Sequence, residues 1–201
     1  MENYNKPDTK LEDLIFIKEG AIPSYVCDRV IRDINKKEWK PHEWYDGFSK
    51  DSYSEETMEL DVQPATPDLQ KLLYPAVRKT MDEYTYNYNF NTKEENNHKM
   101  DGVIRVMSSI RFNRYAPGQI MRQHYDHIHA LFDGEQRGIP ILSFILNFND
   151  DYEGAHLYFW DNEVIELGKG DIVIFPSLFF FPHGVTEATK GVRYSGVCWA
   201  W

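Results

Sequence analysis

The segment IMRQHYD places His124 and Asp126 two residues apart. It reads as a strand, and because alternate side chains of a strand share a face, Arg122, His124 and Asp126 are expected to point the same way. An imidazole and a carboxylate in that relation can fill adjacent corners of a metal's coordination sphere, with a third ligand supplied from elsewhere. The best distant candidate is His183 in FPHGV, 57 residues beyond Asp126. Two imidazoles and one carboxylate on one face of an iron ion leave three positions open. A bidentate cosubstrate and dioxygen could occupy them.

Such a cosubstrate needs an anchor, and Arg193 lies ten residues beyond His183 in GVRYSGVCWAW. Alternation along that strand sets Arg193, Ser195, Val197 and Trp199 on one face. A guanidinium matches a carboxylate with two parallel donors, which suits the far end of a dicarboxylic cosubstrate, and Ser195 could add a hydroxyl. An inward arginine needs an anion, and the neighbouring sequence offers none. The pair His127 and His129 repeats the same spacing without the carboxylate and is the weaker metal pair; His42, His98 and His156 read as structural or surface residues, with His156 the one placed to line a pocket mouth.

These residues need a scaffold. Residues 11–19 read as a strand, and a helix follows Pro23-Ser24, with Tyr25, Val26, Val30 and Ile34 at spacings of three and four. Residues 40–63 read as an irregular excursion. A second helix is expected from Pro67 to about Tyr86, with Leu69, Leu72, Leu73, Ala76, Val77 and Met81 on one side, and the Asn-rich polar residues 87–99 read as a surface loop or a disordered one. From Val103 short runs of β-branched and aromatic residues are cut by turns such as APG, FNDDYEG, WDN and LGKG. Seven or eight such strands with no helix between them indicate an antiparallel sandwich or barrel. The expected fold is α+β: one domain over residues 1–201, with helical support to about residue 100 packed on a double-stranded β-helix, or jelly roll, over about 103–201. The run Leu178 to Phe181 is expected to pack in its core, with an apolar wall that grips substrate as the competing reading.

The length of 201 residues suits one domain, and 42% hydrophobic with 15% aromatic residues excludes wholesale disorder. No window is apolar enough for a transmembrane helix, and the first residues lack the basic and apolar regions of a secretory signal. Cys27 and Cys198 are too few for a disulfide framework, which fits a reducing compartment, so a cytoplasmic location is expected. A net charge of −10 disfavours nucleic acid as a partner.

The set His124-x-Asp126, His183 and Arg193 resembles the 2-oxoglutarate and iron(II) dependent dioxygenases, most closely the prolyl 4-hydroxylase branch. RYAPGQIMRQHYD is similar to that family's Tyr, Gly and HxD region, LNFNDDYEG to its hairpin, GDIVIFPS to the strand before the distal His, and HGVTEATKGVRYSGVCW to the segment joining that His to the basic anchor. The resemblance covers roughly residues 103–201 and outweighs the reading of HxD as an ordinary polar strand. It implies Fe(II) on His124, Asp126 and His183, and 2-oxoglutarate on Arg193, Ser195 and Tyr115, with ascorbate as an accessory reductant. For Tyr115 a plain core aromatic is the competing reading. Two departures stand out. Asn147 falls where many relatives carry a cosubstrate-binding Tyr and is expected to bind 2-oxoglutarate in its place, donating a hydrogen bond from closer to its own backbone, and EGAH replaces the more usual EGGE, so that Ala155 and His156 stand for Gly and Glu.

The implied reaction hydroxylates an unactivated C–H bond and converts 2-oxoglutarate and dioxygen to succinate and carbon dioxide. Similarity favours a prolyl residue in a peptide or protein, with a free amino acid or another small metabolite as the alternative. Residues 40–63 and 127–138 would discriminate, an open groove suiting peptide and a closed pocket a metabolite. A cupin-like metal-binding or isomerase protein on the same barrel would need no cosubstrate and would leave Arg193 without a task.

Overall fold

The computed structural model describes residues 10–45, 50–51, 59–88, 104, 106–126, 138–161 and 163–201. His98, His127 and His129, residues 89–99 of the polar loop and residues 127–137 lie outside them. In chain order the elements begin with β1 (Phe16–Lys18), α1 (Ser24–Ile34), β2 (Lys40–Pro41), β3 (Trp44–Tyr45), β4 (Lys50–Asp51), β5 (Asp61–Pro64) and α2 (Pro67–Asn87). The strands β6 (Arg111–Tyr115), β7 (Met121–His124), β8 (Leu142–Asn147), β9 (Glu153–Gly154), β10 (Leu157–Phe159) and β11 (Glu163–Ile165) follow. The chain then forms β12 (Ile172–Pro176), β13 (His183–Val185), β14 (Ala188–Lys190) and β15 (Arg193–Ala200).

Both helices form where the apolar spacing places them. In α1 the buried face is Val26, Cys27, Val30 and Ile34, while Tyr25, expected on that face, is exposed. Helix α2 starts at a Thr66 cap whose hydroxyl accepts from the Leu69 amide at 3.4 Å, followed by Pro67 where a missing N–H costs nothing. Its buried face is Leu69, Leu73, Val77, Thr80, Met81 and Tyr84. Among the described residues no helix is long and apolar enough to cross a membrane.

The strands build a jelly roll from a seven-stranded sheet, ordered β1-β12-β8-β15-β6-β5-β2, and a four-stranded sheet, ordered β11-β10-β13-β7. Every neighbouring pair is antiparallel. Alternation divides the large sheet's side chains between two cores. Phe112, Phe144, Leu146, Ile172, Ile174 and Cys198 pack under the helices. Ile145, Val173 and Phe175 instead join Leu157, Phe159 and Phe181 of the smaller sheet's side. The helices therefore brace the outer face of the large sheet and leave its inner face to the barrel interior.

The stretch expected to be irregular contributes edges instead. Backbone pairing brings β5 against β6 and β2 against β5, with Asp61 opposite Arg114 and its carboxylate 2.7 Å from that guanidinium. A strand of two or four residues is too short to show periodicity, so pairing with a long neighbour decides it. The phenylalanine run also divides. Phe181 is buried against Phe175 and Trp160, whereas Leu178, Phe179 and Phe180 are exposed, because the turn between β12 and β13 leaves the sandwich there.

Candidate metal centre and its cavity

His124 ends β7 and His183 opens β13, and the antiparallel register places them opposite one another, ring centroids 4.4 Å apart. Asp126 follows two residues after β7 ends. One carboxylate oxygen lies 3.6 Å from His124 Nε2 and the other 3.8 Å from His183 Nε2, and the three potential ligand atoms all lie within 4.8 Å of one another.

Simple alternation did not produce this grouping. On β7 the step from Met121 to His124 matches only the step from Val185 to His183 on β13, so a bulge adds one residue. Met121 and His124 thus both face the interior, while Arg122, expected beside His124, is half exposed and donates to Glu59 Oε1 at 2.6 Å. Gly184 is required at this crossing. A Cβ there would stand 2.8 Å from the Met121 carbonyl oxygen and 2.6 Å from the Tyr158 hydroxyl.

The donor set fits a divalent metal. His124 Nδ1 lies 2.8 Å from the Arg122 carbonyl and His183 Nδ1 3.0 Å from the Phe181 carbonyl. A carbonyl can only accept, so each Nδ1 carries the proton and each Nε2 keeps its lone pair for a ligand bond. Burial draws the His183 pKa down to about 4, with Asp126 opposing, so the ring is neutral at physiological pH. For Asp126 burial acts to raise the pKa, but His183, His124 and the Ser143 hydrogen bond outweigh it and hold the group ionised. Neutral imidazoles and an ionised carboxylate are the ligand forms that bind metal.

The triad lines a cavity whose other walls include Arg111, Asn113, Tyr115, Ser143, Ile145, Val197 and Trp199. Val197 and Trp199 face inward as expected. Arg193 and Ser195 lie deeper on the same strand, 1% and 2% exposed and outside that lining. Tyr115 stands between, opposite Arg193 in the register, its ring 5.6 Å from the guanidinium. Burial pushes the Tyr115 hydroxyl up, opposed by Arg193 and Arg111, so it keeps its proton and can donate.

Arg193 donates from Nε to Asn147 Oδ1 at 3.0 Å and from Nη1 to the Ala155 carbonyl at 2.8 Å. Among the described residues no carboxylate pairs with it. Asn147 departs from its expected role as a cosubstrate donor. Its Nδ2 already serves the carbonyls of Asn149 at 2.7 Å and Gly168 at 3.1 Å, and its oxygen holds Arg193. The residue clamps the arginine and has no donor left for a ligand. Ala155 takes φ 49°, a left-handed conformation suited to the glycine usual there, and His156, expected at a pocket mouth, lies outside the cavity lining. Its backbone N–H is bound to the Thr186 hydroxyl at 2.9 Å, beyond the β9 edge.

Sequence reasoning overlooked Arg111 and Asn113. Both share the inward face of β6 with Tyr115, and a period of two read back from Tyr115 would have found them.

Residues 110–201 match the family described as the 2OG-Fe(II) oxygenase superfamily. No curated protein sequence matches the chain. A viral collagen prolyl hydroxylase from Paramecium Bursaria Chlorella virus-1, solved as its 2-oxoglutarate complex, is 16% identical, with a TM-score of 0.65 over 93% of this chain and 95% of that one. A Pseudomonas putida prolyl-4-hydroxylase is 18% identical, with a TM-score of 0.62 over 93% and 91%. A Trichoplax adhaerens prolyl hydroxylase, solved with a hypoxia inducible factor peptide fragment, is 13% identical, with a TM-score of 0.66 over 94% and 83%.

Proposed function

We propose that this chain, a 2OG-Fe(II) oxygenase with the fold of the prolyl hydroxylases, hydroxylates an unactivated C–H bond of a prolyl residue in a peptide or protein and releases succinate and carbon dioxide. It acts as a single domain in which the helices brace the barrel. His124, Asp126 and His183 hold Fe(II), and Arg193 takes the distal carboxylate of 2-oxoglutarate, with Tyr115 and Ser195 beside it. Bound iron and 2-oxoglutarate supply the oxidising chemistry.

The chain's own residues orient and seclude that chemistry. The two Nδ1–H bonds to carbonyls fix the imidazole planes, so Nε2 of each ring faces the same point. Tyr115, buried and protonated, offers its hydroxyl to an anion next to Arg193. The apolar wall formed by Ile145, Leu157, Val185 and Val197 excludes water from the reacting face.

One observation carries the reading. Arg193 is 1% exposed, held on the barrel's inner wall by an amide and a carbonyl, and among the described residues no carboxylate neutralises it. A buried guanidinium without an anion is costly, and a dicarboxylate bound to the metal at its other end removes that cost. A cupin-like protein without a cosubstrate gives this arginine nothing to do.

The test is anaerobic addition of Fe(II) and 2-oxoglutarate, followed by succinate assays with prolyl peptides, free proline and other amino acids. A visible charge-transfer band and peptide-stimulated succinate are expected. Absence of the band with iron bound would remove the cosubstrate role, and stimulation by free amino acids alone would move the substrate to the small-molecule alternative.

A further inference from the structure

We propose that the exposed turn Leu178-Phe179-Phe180 grips an apolar side chain of the peptide substrate, a few residues along the peptide from the one that is hydroxylated. This rests on the reading of the substrate as a peptide, and it adds what that peptide carries beside its target.

The cavity opens at its metal end. Along the inward face of β15 exposure rises from Arg193 at 1% and Ser195 at 2% to Val197 and Trp199, which are half-buried, as are His124 and Asp126. A substrate therefore reaches the metal from the Trp199 side, and the cosubstrate's anchor lies at the sealed end.

The turn stands on that rim. The register sets Trp199 opposite Ser143 and Ser143 opposite Phe175, so one row crosses β15, β8 and β12. Ser143 bonds Asp126 at 2.5 Å in the middle of the row, and Phe175 meets the His183 ring edge to face, centroids 4.8 Å apart. Leu178 comes three residues after Phe175. With strands about 4.8 Å apart and a rise of about 3.3 Å per residue, the turn is on the order of 10 Å from Ser143, which an extended peptide covers in about three residues.

The turn is held in shape by its own backbone and by its neighbours. The Phe181 N–H donates to the Leu178 carbonyl at 2.9 Å, Ser177 N–H to the Ile141 carbonyl at 3.0 Å, and the Trp160 indole to the Phe180 carbonyl at 2.9 Å. Its two ends also support the metal ligands, because the Phe181 carbonyl lies 3.0 Å from His183 Nδ1 and the Ser177 hydroxyl 2.6 Å from that of Ser143. Between these anchors Leu178, Phe179 and Phe180 are 43%, 66% and 49% exposed, the two rings 4.0 Å apart. An apolar surface that is already ordered binds without the cost of ordering it.

Size and charge select the occupant. At about 150 to 250 Å² for a whole aromatic side chain, the exposed part of these three comes to roughly 300 Å². A stable contact between two copies of the chain needs about 800 Å² from each, so the patch matches one or two side chains of a peptide instead. No Asp, Glu, Lys or Arg falls between Ile172 and Thr186, so the turn offers nothing to an ion and suits an aliphatic or aromatic group.

The experiment uses the full chain loaded with Mn(II) and N-oxalylglycine, which is unreactive, and measures calorimetric binding of blocked seven-residue peptides. One series has a central proline among alanines, with leucine placed in turn at each of the other six positions, and a second series repeats the scan around a central alanine. In wild type, leucine at one or two positions should tighten binding about 10- to 100-fold over the parent peptide, the range for burying one large apolar side chain. The double substitution Phe179→Ser, Phe180→Ser should remove that gain while N-oxalylglycine binds as it does to wild type, and Phe179→Leu with Phe180→Leu should keep most of it. The wild-type scan stands even if a variant fails to fold. The proposal is overturned if leucine gives no gain at any position, if the gain survives in the double serine variant, or if that variant weakens N-oxalylglycine as much as the peptide. It also falls if wild type sediments as a dimer that the double serine variant makes monomeric, since the patch then covers a second copy. Proline peptides that bind with no gain from leucine would sink this inference and leave the prolyl reading standing. A gain that depends on Phe179 and Phe180 only around the central alanine would support the turn and sink the prolyl reading.

Discussion

The Ser143 hydroxyl lies 2.5 Å from Asp126 Oδ2 and 2.6 Å from the Ser177 hydroxyl. Asp126 sits past the end of its own strand, so its orientation comes from this short chain of hydroxyls on the opposite sheet, at residues that are both 1% exposed. Ser143→Ala should therefore lower metal affinity by about 10- to 100-fold, the usual cost of losing a partner that orients a ligand. Ser143→Thr should retain most of it. Competition against a chelator of known iron affinity measures both, and an unchanged affinity in the alanine variant would remove Ser143 from the metal site.

The metal triad was legible because its residues are chemically distinctive and because one of them, His183, is followed at a fixed distance by a strand with an arginine. What period-two reasoning could not supply was the bulge between Met121 and His124, since an extra residue in one strand leaves no mark in that strand's own composition. The role of Asn147 was hidden for another reason. Its amide is satisfied by carbonyls of residues 149 and 168, and the second of these comes near only when the chain turns into β12. The edge strands β2 and β5 are set by their neighbour β6, and the exposure of Phe179 by where a turn leaves the sandwich; both are tertiary facts.

Ala155 is strained at the turn that follows β9. It holds φ 49° while its N–H donates to the Glu187 carbonyl at 2.9 Å and its own carbonyl receives Arg193, so the backbone cannot relax without releasing the arginine. A left-handed alanine costs roughly 1 to 2 kcal/mol, and glycine returns about 0.4 to 1 kcal/mol of that to the unfolded chain. Ala155→Gly should thus be neutral to about 1 kcal/mol stabilising in urea unfolding. Gly154→Ala should destabilise clearly, because its Cβ would fall 2.2 Å from the Glu187 carbonyl oxygen at φ +74°. A destabilised Ala155→Gly would show that the methyl group packs productively.

His42 makes the fold acid-sensitive. Burial, and then the charge of Arg111, draws its pKa from 6.5 to about 3, so the folded chain holds it neutral while the unfolded chain protonates it below about 6.5. Between those values the unfolded state binds the extra proton, and stability falls as pH falls, by up to about 1.4 kcal/mol per pH unit. Asp126 acts in a separate window, since its lowered pKa gives stability that is present above the ordinary carboxylate range and lost only at more acid pH. Urea unfolding of the metal-free chain from pH 7 to 4.5 should show a shallower slope for His42→Gln than for wild type. Equal slopes would mean that His42 is already protonated in the folded chain.

Arg193 separates an oxygenase from any metal protein on the same barrel. If its guanidinium pairs with the distal carboxylate in a desolvated interior, Arg193→Ala strands a buried anion, at a cost on the order of 2 to 5 kcal/mol. Affinity for 2-oxoglutarate should then fall by roughly 30-fold to several thousand-fold, at 1.4 kcal/mol per factor of ten. N-oxalylglycine, with the same two carboxylates, should weaken in parallel. Oxalate chelates iron but has no distal carboxylate, so its binding should not change, and neither should the affinity for iron. Arg193→Lys keeps the charge without the planar fork and should be intermediate. Asn147→Ala should also weaken 2-oxoglutarate, by less, because it releases Nε of an arginine that Ala155 still holds at Nη1. Titration of the three ligands under anaerobic conditions, with iron present, reads all of these. Weakening of oxalate to the same degree would mean that the substitution had damaged the iron site or the fold, and no weakening of any ligand would place the cosubstrate's anchor elsewhere.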